Sequence, residues 1–316
     1  MIDLENLTVA FGTGQAVREV SLSICAGDRI GIVGESGCGK TMLGLSLIGM
    51  TPDAATLSGS MTLDGAEMAG ASESIWQELR ARRVAMIFQE PMAALNPIKR
   101  VGDTVMEPLL IHMGLDRTAA RARALALFEE VGIPDPEARL RQFPHEMSGG
   151  QRQRVLIALA LTCNPGLLIA DEPTTALDAN VALMITELLT RLARDRNMAL
   201  VFVSHDLTAV ARATEDMLVM YGGDIVERGK TADVLSNPQH PYAQGLLAAR
   251  PSPENMRETS GRRKRLPTIP GTVPPLADLP EGCRFAGRCP VELPHCATQR
   301  PPRVGGAICH RLGDET

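Results

Sequence analysis

Short apolar runs separated by polar and glycine-rich stretches mark the first third of the chain. Between residues 3 and 33 the apolar positions recur at the spacing of short β-strands, and the run Arg29 to Val33 leads into a glycine-rich loop. Later apolar runs at Val84 to Phe88, Leu167 to Ala170 and Ala199 to Val203 predict further strands. The pattern is typical of an α/β domain with an open sheet.

Between Val101 and Thr162 the apolar positions follow a helical period instead. Asp116 is the predicted N-cap of a helix from Arg117 to Val131, which Gly132 ends. Polar residues Glu73 to Arg83 predict another helix, and a third is expected from Asn180 to Arg194. A helical insertion between strands usually forms a separate lobe, so we expect a helical subdomain at about residues 90–165.

Composition limits the classes of protein to consider. The chain has 316 residues, 44% of them hydrophobic, a net charge of -5 and a pI of 5.8. Without a basic stripe we expect no nucleic-acid partner. The N-terminus lacks an export signal, and no apolar run reaches the roughly 18 residues of a membrane span. We therefore expect a cytoplasmic chain with at most peripheral membrane contact, whose seven cysteines are thiols or metal ligands.

The loop after Val33 fits the phosphate-loop (Walker A) pattern G-x-x-x-x-G-K-[ST], between a predicted strand and a predicted helix. Its glycines let backbone N–H groups surround phosphates at a helix N-terminus. Lys40 would neutralise the β- and γ-phosphates, and Thr41 would offer its hydroxyl to Mg²⁺. The predicted nucleotide-binding residues here are Gly34, Glu35, Ser36, Gly37, Cys38, Gly39, Lys40, Thr41 and Met42.

Polar residues at the ends of the later strands supply candidate catalytic groups. Gln89 can complete the magnesium shell and position water, and Asp171 can order the ion through water. Glu172 can polarise the attacking water, and His205 can reach the γ-phosphate region. Each also fits an ordinary solvated strand end or a packed side chain. Phe11, just before Gly12, can stack on adenine, although by itself it fits a plain core position better.

A second anion site is predicted at Ser148. Its hydroxyl is well placed as an N-cap, and Gly149 and Gly150, before Gln151, leave the N–H groups of the next helix unobstructed. One nucleotide does not need two such sites on one subunit, so this one would serve a neighbour's nucleotide. The alternative is a capped helix with a flexible entry. Asp178 follows Glu172 on a short loop.

Taken together and in order, these motifs closely resemble the nucleotide-binding subunit of ABC transporters, over roughly the first three-quarters of the chain. Three further segments are similar to the ATPase subunits of dipeptide, oligopeptide and nickel importers: Gln89 to Pro97, Phe143 to Glu146, and Asn237 to Tyr242. The resemblance implies a P-loop (RecA-like) ABC domain with an antiparallel β subdomain and a helical subdomain. It also makes Phe11 the adenine-stacking aromatic.

The resemblance further implies a head-to-tail dimer, with itself or with a related ATPase, that sandwiches two ATP molecules with Mg²⁺. Ser148 to Gln151 of one subunit would face the phosphate loop of the other. Hydrolysis would drive two permease subunits, docked near Gln89 to Asn96 and the helical lobe, on the cytoplasmic side of the inner membrane. An extracytoplasmic solute-binding protein would be an indirect partner. The cargo would be a di- or oligopeptide or a related solute such as nickel.

Two residues depart from the family pattern. Met147 replaces the usual leucine before Ser148, and Cys38 replaces a usual serine in the phosphate loop. Neither change removes a phosphate donor, because those donors are backbone groups. We expect a depressed pKa for the Cys38 thiol beside a helix N-terminus and Lys40, so that its alkylation would block ATP binding.

The composition shifts after Leu235, which divides the chain into an ATPase domain, 1–235, and an extension, 236–316. Residues 236–282 are proline-rich and predicted to be loop-dominated, with a solvated basic run at Arg262 to Arg265. Four cysteines follow with the spacing C-x5-C-x6-C-x12-C: Cys283, Cys289, Cys296 and Cys309. They suit a 4Fe-4S cluster or Zn²⁺, and Pro290 after Cys289 and the resemblance favour the cluster, with free thiols third. Cys25 and Cys163 are expected to be buried.

Two other functions remain open from the sequence. A soluble ABC ATPase of translation or DNA repair usually carries two cassettes or a long coiled coil in the insertion. This chain has one set of motifs and no sustained heptads. Alternatively, the cysteine segment is an interaction or redox-sensing module for which the ATPase is the switch.

Overall fold

The computed structural model describes residues 1–89, 94–250 and 268–313 and contains two β-sheets. The strands are β1 (Ile2–Phe11), β2 (Gly14–Ile24), β3 (Arg29–Val33), β4 (Thr56–Leu63), β5 (Ala66–Glu67), β6 (Val84–Ile87), β7 (Leu167–Asp171), β8 (Ala199–Val203), β9 (Asp216–Tyr221), β10 (Asp224–Lys230), β11 (Arg303–Val304) and β12 (Ala307–Ile308). The predicted apolar runs at 84–88, 167–170 and 199–203 are therefore confirmed as strands.

The four-stranded sheet is antiparallel, in the order β2-β1-β4-β5. The larger sheet has the order β11-β12-β10-β9-β3-β8-β7-β6. Within it β3, β6, β7, β8 and β9 run parallel. Because parallel strands end at the same edge, the residues that follow β3, β6, β7 and β8 meet there.

The described helices between β6 and β7 all fall within residues 90–165, where a helical subdomain was predicted. The helices are α1 (Lys40–Leu47), α2 (Glu73–Leu79), α3 (Val101–Met113), α4 (Arg117–Glu130), α5 (Pro136–Arg139), α6 (Gly149–Ala160), α7 (Ala179–Asp195), α8 (Leu207–Ala213), α9 (Thr231–Ser236) and α10 (Pro241–Ala248). Asp116 caps α4 as predicted, since its side chain accepts from the N–H of Ala119 at 2.8 Å. Helix α2 ends earlier than expected, and Arg80 lies outside it in an extended conformation.

Two apolar cores hold the layers together. One lies between the four-stranded sheet, the larger sheet and α1, and includes Leu7, Ile32 and Leu43. The other lies on the side of the helical insertion and includes Phe128 and Phe202. No helix in the described ranges is both long and apolar enough to span a bilayer.

The extension after residue 235 shares the second core with the preceding domain. Tyr242, Phe285 and Ile308 are buried in the same cluster as residues of the ATPase segment. The prediction of a loop-dominated stretch at 236–282 is wrong in part, because α10 forms there behind the side chain of His240 as N-cap and Pro241 at its first position. The proposed boundary at 235/236 falls within α9 and stays a prediction.

Two predicted segments lie outside the described residues, wholly or in part. The basic run Arg262 to Arg265 is outside them entirely. Of the predicted permease-docking segment Gln89 to Asn96, residues 90–93 are also outside.

Candidate nucleotide-binding site

The phosphate loop connects β3 to α1 in a conformation that requires glycine. Gly34, Gly37 and Gly39 have φ angles of 154°, 81° and 103°. A Cβ on Gly34 would stand 2.3 Å from the Met220 carbonyl oxygen, and one on Gly39 only 2.1 Å from that of Ala16. The backbone of Met220 or Ala16 would have to move to make space for such a Cβ, so the tight loop depends on glycine at positions 34 and 39.

Lys40 opens α1 and turns its side chain back into the loop. Its Nζ donates to the carbonyl oxygens of Gly34 at 2.8 Å and Glu35 at 3.0 Å, and the side chain is buried. The ammonium group is thus held at the centre of the loop, beside the N-terminus of α1. A cation and free N–H groups at a helix start are the chemistry that binds phosphates.

A cleft of about 410 Å³ opens beside this loop. Its lining joins the predicted phosphate-loop residues with Phe11 from the first hairpin and with Gln89 and Glu172 from the strand ends. The lining residues are Phe11, Ala16, Ser36, Gly37, Gly39, Lys40, Thr41, Met42, Gln89, Glu172 and Leu276. The structure therefore brings these predicted residues together around one space large enough for a small ligand.

Asp171 ends β7 next to Thr41. Its side chain is buried, and its Oδ1 has no hydrogen-bond partner within the described ranges. Burial raises the pKa of Asp171, while the hydrogen bond with Thr41 lowers it, the charge of Glu172 raises it and that of Lys40 lowers it. A buried carboxylate oxygen left without a partner beside a hydroxyl fits a hydrated Mg²⁺, which takes oxygen ligands.

Glu172 follows in a strained backbone conformation, with φ at 49°. Its Oε2 accepts from the Thr175 hydroxyl at 2.7 Å and pairs with Nδ1 of His205 at 2.8 Å. The carboxylate can only accept, so His205 Nδ1 carries the proton of this bond. Both catalytic candidates thus lie at the carboxyl edge of the sheet, and their mutual contact holds the Glu172 carboxylate in one orientation.

Ser148 caps α6 as predicted. Its Oγ accepts from the Gln151 N–H at 3.3 Å, and Gln151 Oε1 accepts from the Ser148 N–H at 3.0 Å, which completes a capping box. Ser148 to Gln151 do not line the cleft of their own chain. Gly150 instead faces Val181 on α7, the helix whose N-cap is Asp178.

The expected depression of the Cys38 pKa is wrong. The side chain is only 1% exposed, and burial raises the pKa of its thiol more than the charge of Lys40 lowers it. Its Sγ lies 2.7 Å from where a Cβ on Gly34 would stand. Cys38 is therefore a packed, protonated thiol rather than a reactive thiolate. Cys25 is exposed, against expectation, whereas Cys163 is buried as expected.

The four cysteines of the extension lie near one another as free thiols. Burial raises the pKa of Cys283 to about 12, and the charges of Cys296, Cys289 and Cys309 raise it as well. The N–H of Cys283 donates to the Cys296 carbonyl oxygen at 2.7 Å. No three ligand side chains in the described part of the chain are grouped closely enough to hold one metal ion.

Several residues beside the cleft were missed by sequence reasoning, because their contacts span long stretches of chain. Tyr242 on α10 accepts from the Glu35 N–H at 2.8 Å, and Arg288 in the extension pairs with the Glu35 carboxylate. Leu276 lines the cleft itself. Within the segment Asn237 to Tyr242, which the sequence analysis had singled out, His240-Pro241 is a local signal that could have predicted the start of α10.

The comparisons with known proteins agree with this geometry. Residues 17–175 match the family model described as ABC transporter, and residues 226–296 match that of the oligopeptide/dipeptide transporter C-terminal region. A dimeric bacterial ABC transporter cassette, MJ0796, has a similar structure, with 28% identity and a TM-score of 0.66 over 73% of this chain and 99% of that one. The same cassette in a post-hydrolysis dimer bound to ADP and Pi gives 26% identity, the same TM-score and the same coverage.

Curated relatives match over nearly the whole chain. A putative peptide import ATP-binding protein of Brucella abortus (strain 2308) is 41% identical over 96% of this chain and 93% of its own length. The probable D,D-dipeptide transport ATP-binding protein DdpD of Escherichia coli K12 is 43% identical over 92% and 88%. The oligopeptide transport ATP-binding protein OppD of E. coli K12 is 41% identical over 95% and 89%. The chain therefore belongs to the ATP-binding subunits of ABC transporters, in the group that carries the oligopeptide/dipeptide transporter C-terminal region.

Proposed function

We propose that this chain hydrolyses ATP to power the import of peptides through an ABC permease. The observation that carries the proposal is the cleft in which the phosphate loop, Phe11, Gln89 and Glu172 meet. The relatives named for peptide, dipeptide and oligopeptide import support a peptide as the cargo rather than nickel.

In this proposal ATP lies in the cleft with its phosphates at the loop and its adenine against Phe11. Lys40 and the loop N–H groups bind the β- and γ-phosphates. Thr41, Gln89 and Asp171 would hold Mg²⁺, directly or through water, and the ion would offset negative charge on the phosphates. The partnerless Oδ1 of Asp171 beside Thr41 supports this assignment.

Glu172 is the proposed general base for the attacking water. Its carboxylate is fixed by the Thr175 hydroxyl and by Nδ1 of His205, so that its other oxygen, Oε1, remains for water. His205 is mostly exposed, with 67% of its side chain accessible, and can also contact the γ-phosphate from its free ring edge. Both residues being present, the subunit is proposed to be catalytically competent.

A second ATPase subunit would complete the site. Ser148, Gly149, Gly150 and Gln151 lie outside their own cleft, at a capped helix start suited to the γ-phosphate of a nucleotide on the partner, with Asp178 at the same face. The dimer would close on ATP, reopen after hydrolysis and thereby move two permease subunits. The proposed location is the cytoplasmic side of the inner membrane, with a solute-binding protein as an indirect partner.

The four cysteines are proposed to hold a 4Fe-4S cluster that staples the extension, with zinc as the alternative. Burial, and after it the charges of neighbouring cysteines, raises the pKa of Cys283, Cys289 and Cys309, which shows that the free thiols of this loop-rich segment lie near one another. A shared ligand would have to draw their side chains closer together than they stand in the described residues. Iron, sulfide and zinc analysis of protein purified without oxygen tests it. If the cluster is present, the protein should contain iron and sulfide, and both should be lost in Cys296→Ser. Zinc without sulfide would support the alternative. A protein that contains neither iron nor zinc would refute both.

The test of the main proposal uses the full chain assembled with its permease subunits. Glu172→Gln should retain ATP binding and lower turnover by about 10²-fold or more, the usual contribution of a general base. Glu187→Gln, an exposed glutamate on α7, is the control and should keep wild-type turnover. Near-normal hydrolysis by Glu172→Gln would remove that residue from the role of base, and wild-type protein without nucleotide binding or turnover would refute the proposal.

A further inference from the structure

The extension contributes a side chain to the nucleotide cleft. Leu276 starts a short 3-10 helix, Leu276–Asp278, and lines the same space as Phe11 and the phosphate loop. It is partly buried there, so its apolar surface is divided between the protein and the open cleft. The wall at this point is therefore made by a segment that lies far from the ATPase motifs in sequence.

Leu276 packs against the first hairpin, next to the proposed adenine-stacking residue. A Cβ built on Gly14 would stand 2.7 Å from the Cβ of Leu276, so only glycine allows this approach. Gly14 in turn is the pairing partner of Phe11 across the β1–β2 hairpin. Leu276 and Phe11 therefore lie on the same side of the cleft.

Polar contacts fix the segment that carries Leu276. Arg284 donates to Oε1 of Gln15 at 2.9 Å, beside Gly14. Arg18 on β2 donates to the carbonyl oxygens of Glu281 at 2.8 Å and Gly282 at 3.0 Å. Leu279, which lies in sequence between Leu276 and these contacts, is buried. The wall is thus held in place from the strand on which Gly14 lies.

The side chains that line this wall of the cleft determine which part of a bound nucleotide the wall can contact. Lys40, Thr41 and Glu172 give the cleft polar and charged lining, whereas Leu276, Phe11 and Ala16 offer apolar surface. An apolar side chain gains nothing from phosphates but gains free energy when it is covered by a base or a ribose ring. We propose that Leu276 is a nucleotide contact, which covers the base and ribose of ATP bound in the same chain; this inference rests on the proposed function.

The experiment compares dissociation constants of the full chain for Mg-ADP and for a non-hydrolysable Mg-ATP analogue. Leu276→Ala should raise both dissociation constants by about fivefold, because each ligand carries the same base and ribose and loses part of one leucine contact. Leu312→Ala is the matched control, since Leu312 is also a partly buried leucine in a short 3-10 helix of the extension. It should leave both constants unchanged.

A second variant displaces Leu276 without changing its side chain. The φ angle of Gly14 is one that alanine can adopt, so Gly14→Ala does not strain the backbone. Its methyl group would overlap Leu276 and displace it, so the dissociation constants for both nucleotides should rise by a similar factor. The thermal midpoint without nucleotide reports whether either variant is merely unfolded.

If the wild-type chain binds both nucleotides and the dissociation constants of both variants are unchanged, the inference is overturned and the proposed function is left intact. A loss for the ATP analogue alone would also overturn it, since that result indicates the γ-phosphate. A wild-type chain that binds neither nucleotide would contradict the proposed function itself.

Discussion

Arg288 of the extension forms a two-pronged ion pair with Glu35 of the phosphate loop. The distances are 2.8 Å from Nη1 to Oε2 and 3.1 Å from Nη2 to Oε1. The guanidinium group also lies over the Tyr221 ring, 5.6 Å from its centroid, and donates to the Tyr221 hydroxyl at 3.1 Å. Because Arg288 immediately precedes Cys289, the cysteine segment and the phosphate loop are joined through one side chain.

Breaking this pair should destabilise the protein. Arg288→Met removes a guanidinium that is only 6% exposed and leaves the Glu35 carboxylate without its partner. We expect the free energy of unfolding to fall by about 2 kcal/mol, as for a largely buried ion pair that loses one member. Denaturant unfolding measures it, with Arg212→Met, an exposed arginine on α8, as the control. Equal stability of the two variants would show that the pair adds nothing.

Ser148 stabilises the start of α6 as its N-cap, in addition to its proposed role toward a partner's nucleotide. Ser148→Ala removes the acceptor for the Gln151 N–H, so α6 should lose about 1 kcal/mol of stability even in the isolated subunit. Thermal unfolding without nucleotide measures this loss, and Ser236→Ala, an exposed serine at the end of α9, provides the comparison. A wild-type midpoint for Ser148→Ala would contradict the cap.

Alkylating reagents should react with Cys25 long before Cys38. Cys25 is exposed, whereas Cys38 is buried with a raised pKa, and only the thiolate is an effective nucleophile. Mass spectrometry after brief iodoacetamide treatment of the folded protein should find the label at Cys25. In Cys25→Ser, Cys38 should be labelled only after unfolding. Rapid modification of Cys38 in the native chain would restore the view of a reactive loop thiol.

The buried His240 should make stability depend on pH. Burial lowers its pKa to about 4 from an ordinary 6.5, and its Nδ1 accepts from the Tyr242 N–H at 3.0 Å, which requires the neutral ring. Between these values the unfolded chain binds the proton and the folded chain does not. The free energy of unfolding should therefore fall as the pH drops from about 6.5 to about 4, by roughly 3 kcal/mol in all.

His240→Asn isolates this effect. Its side-chain oxygen can still accept from the Tyr242 N–H but does not titrate. The difference in unfolding free energy between wild type and variant should change across this pH range and stay constant above about pH 7. Parallel pH profiles for the two proteins would exclude His240 as the titrating group.

Local sequence patterns predicted the parts of the molecule that local rules determine. The phosphate loop is recognisable because a strand, three glycines and a helix start are consecutive in sequence, and Asp116 and Ser148 cap helices for the same kind of reason. Glu172 and His205 were found because strand ends of a parallel sheet share one edge, although their hydrogen bond could not be foreseen.

Contacts between distant segments were not predictable in this way. Neither Leu276 nor Arg288 stands in a pattern that points to the cleft, because their partners are set by how the extension folds back. Cys38 was wrongly expected to be acidic, since neighbours in sequence reveal a nearby cation but not the burial that outweighs it.

The short strands β11 and β12 have one more consequence. They pair beside β10, where Glu227 opposes Ala307, and so cover the outer flank of the larger sheet with only two residues each. A chain cut after α10 would leave the backbone N–H and C=O groups of β10 open to a strand from another molecule. The C-terminal residues therefore shield part of this edge of the larger sheet from pairing with a strand of another molecule.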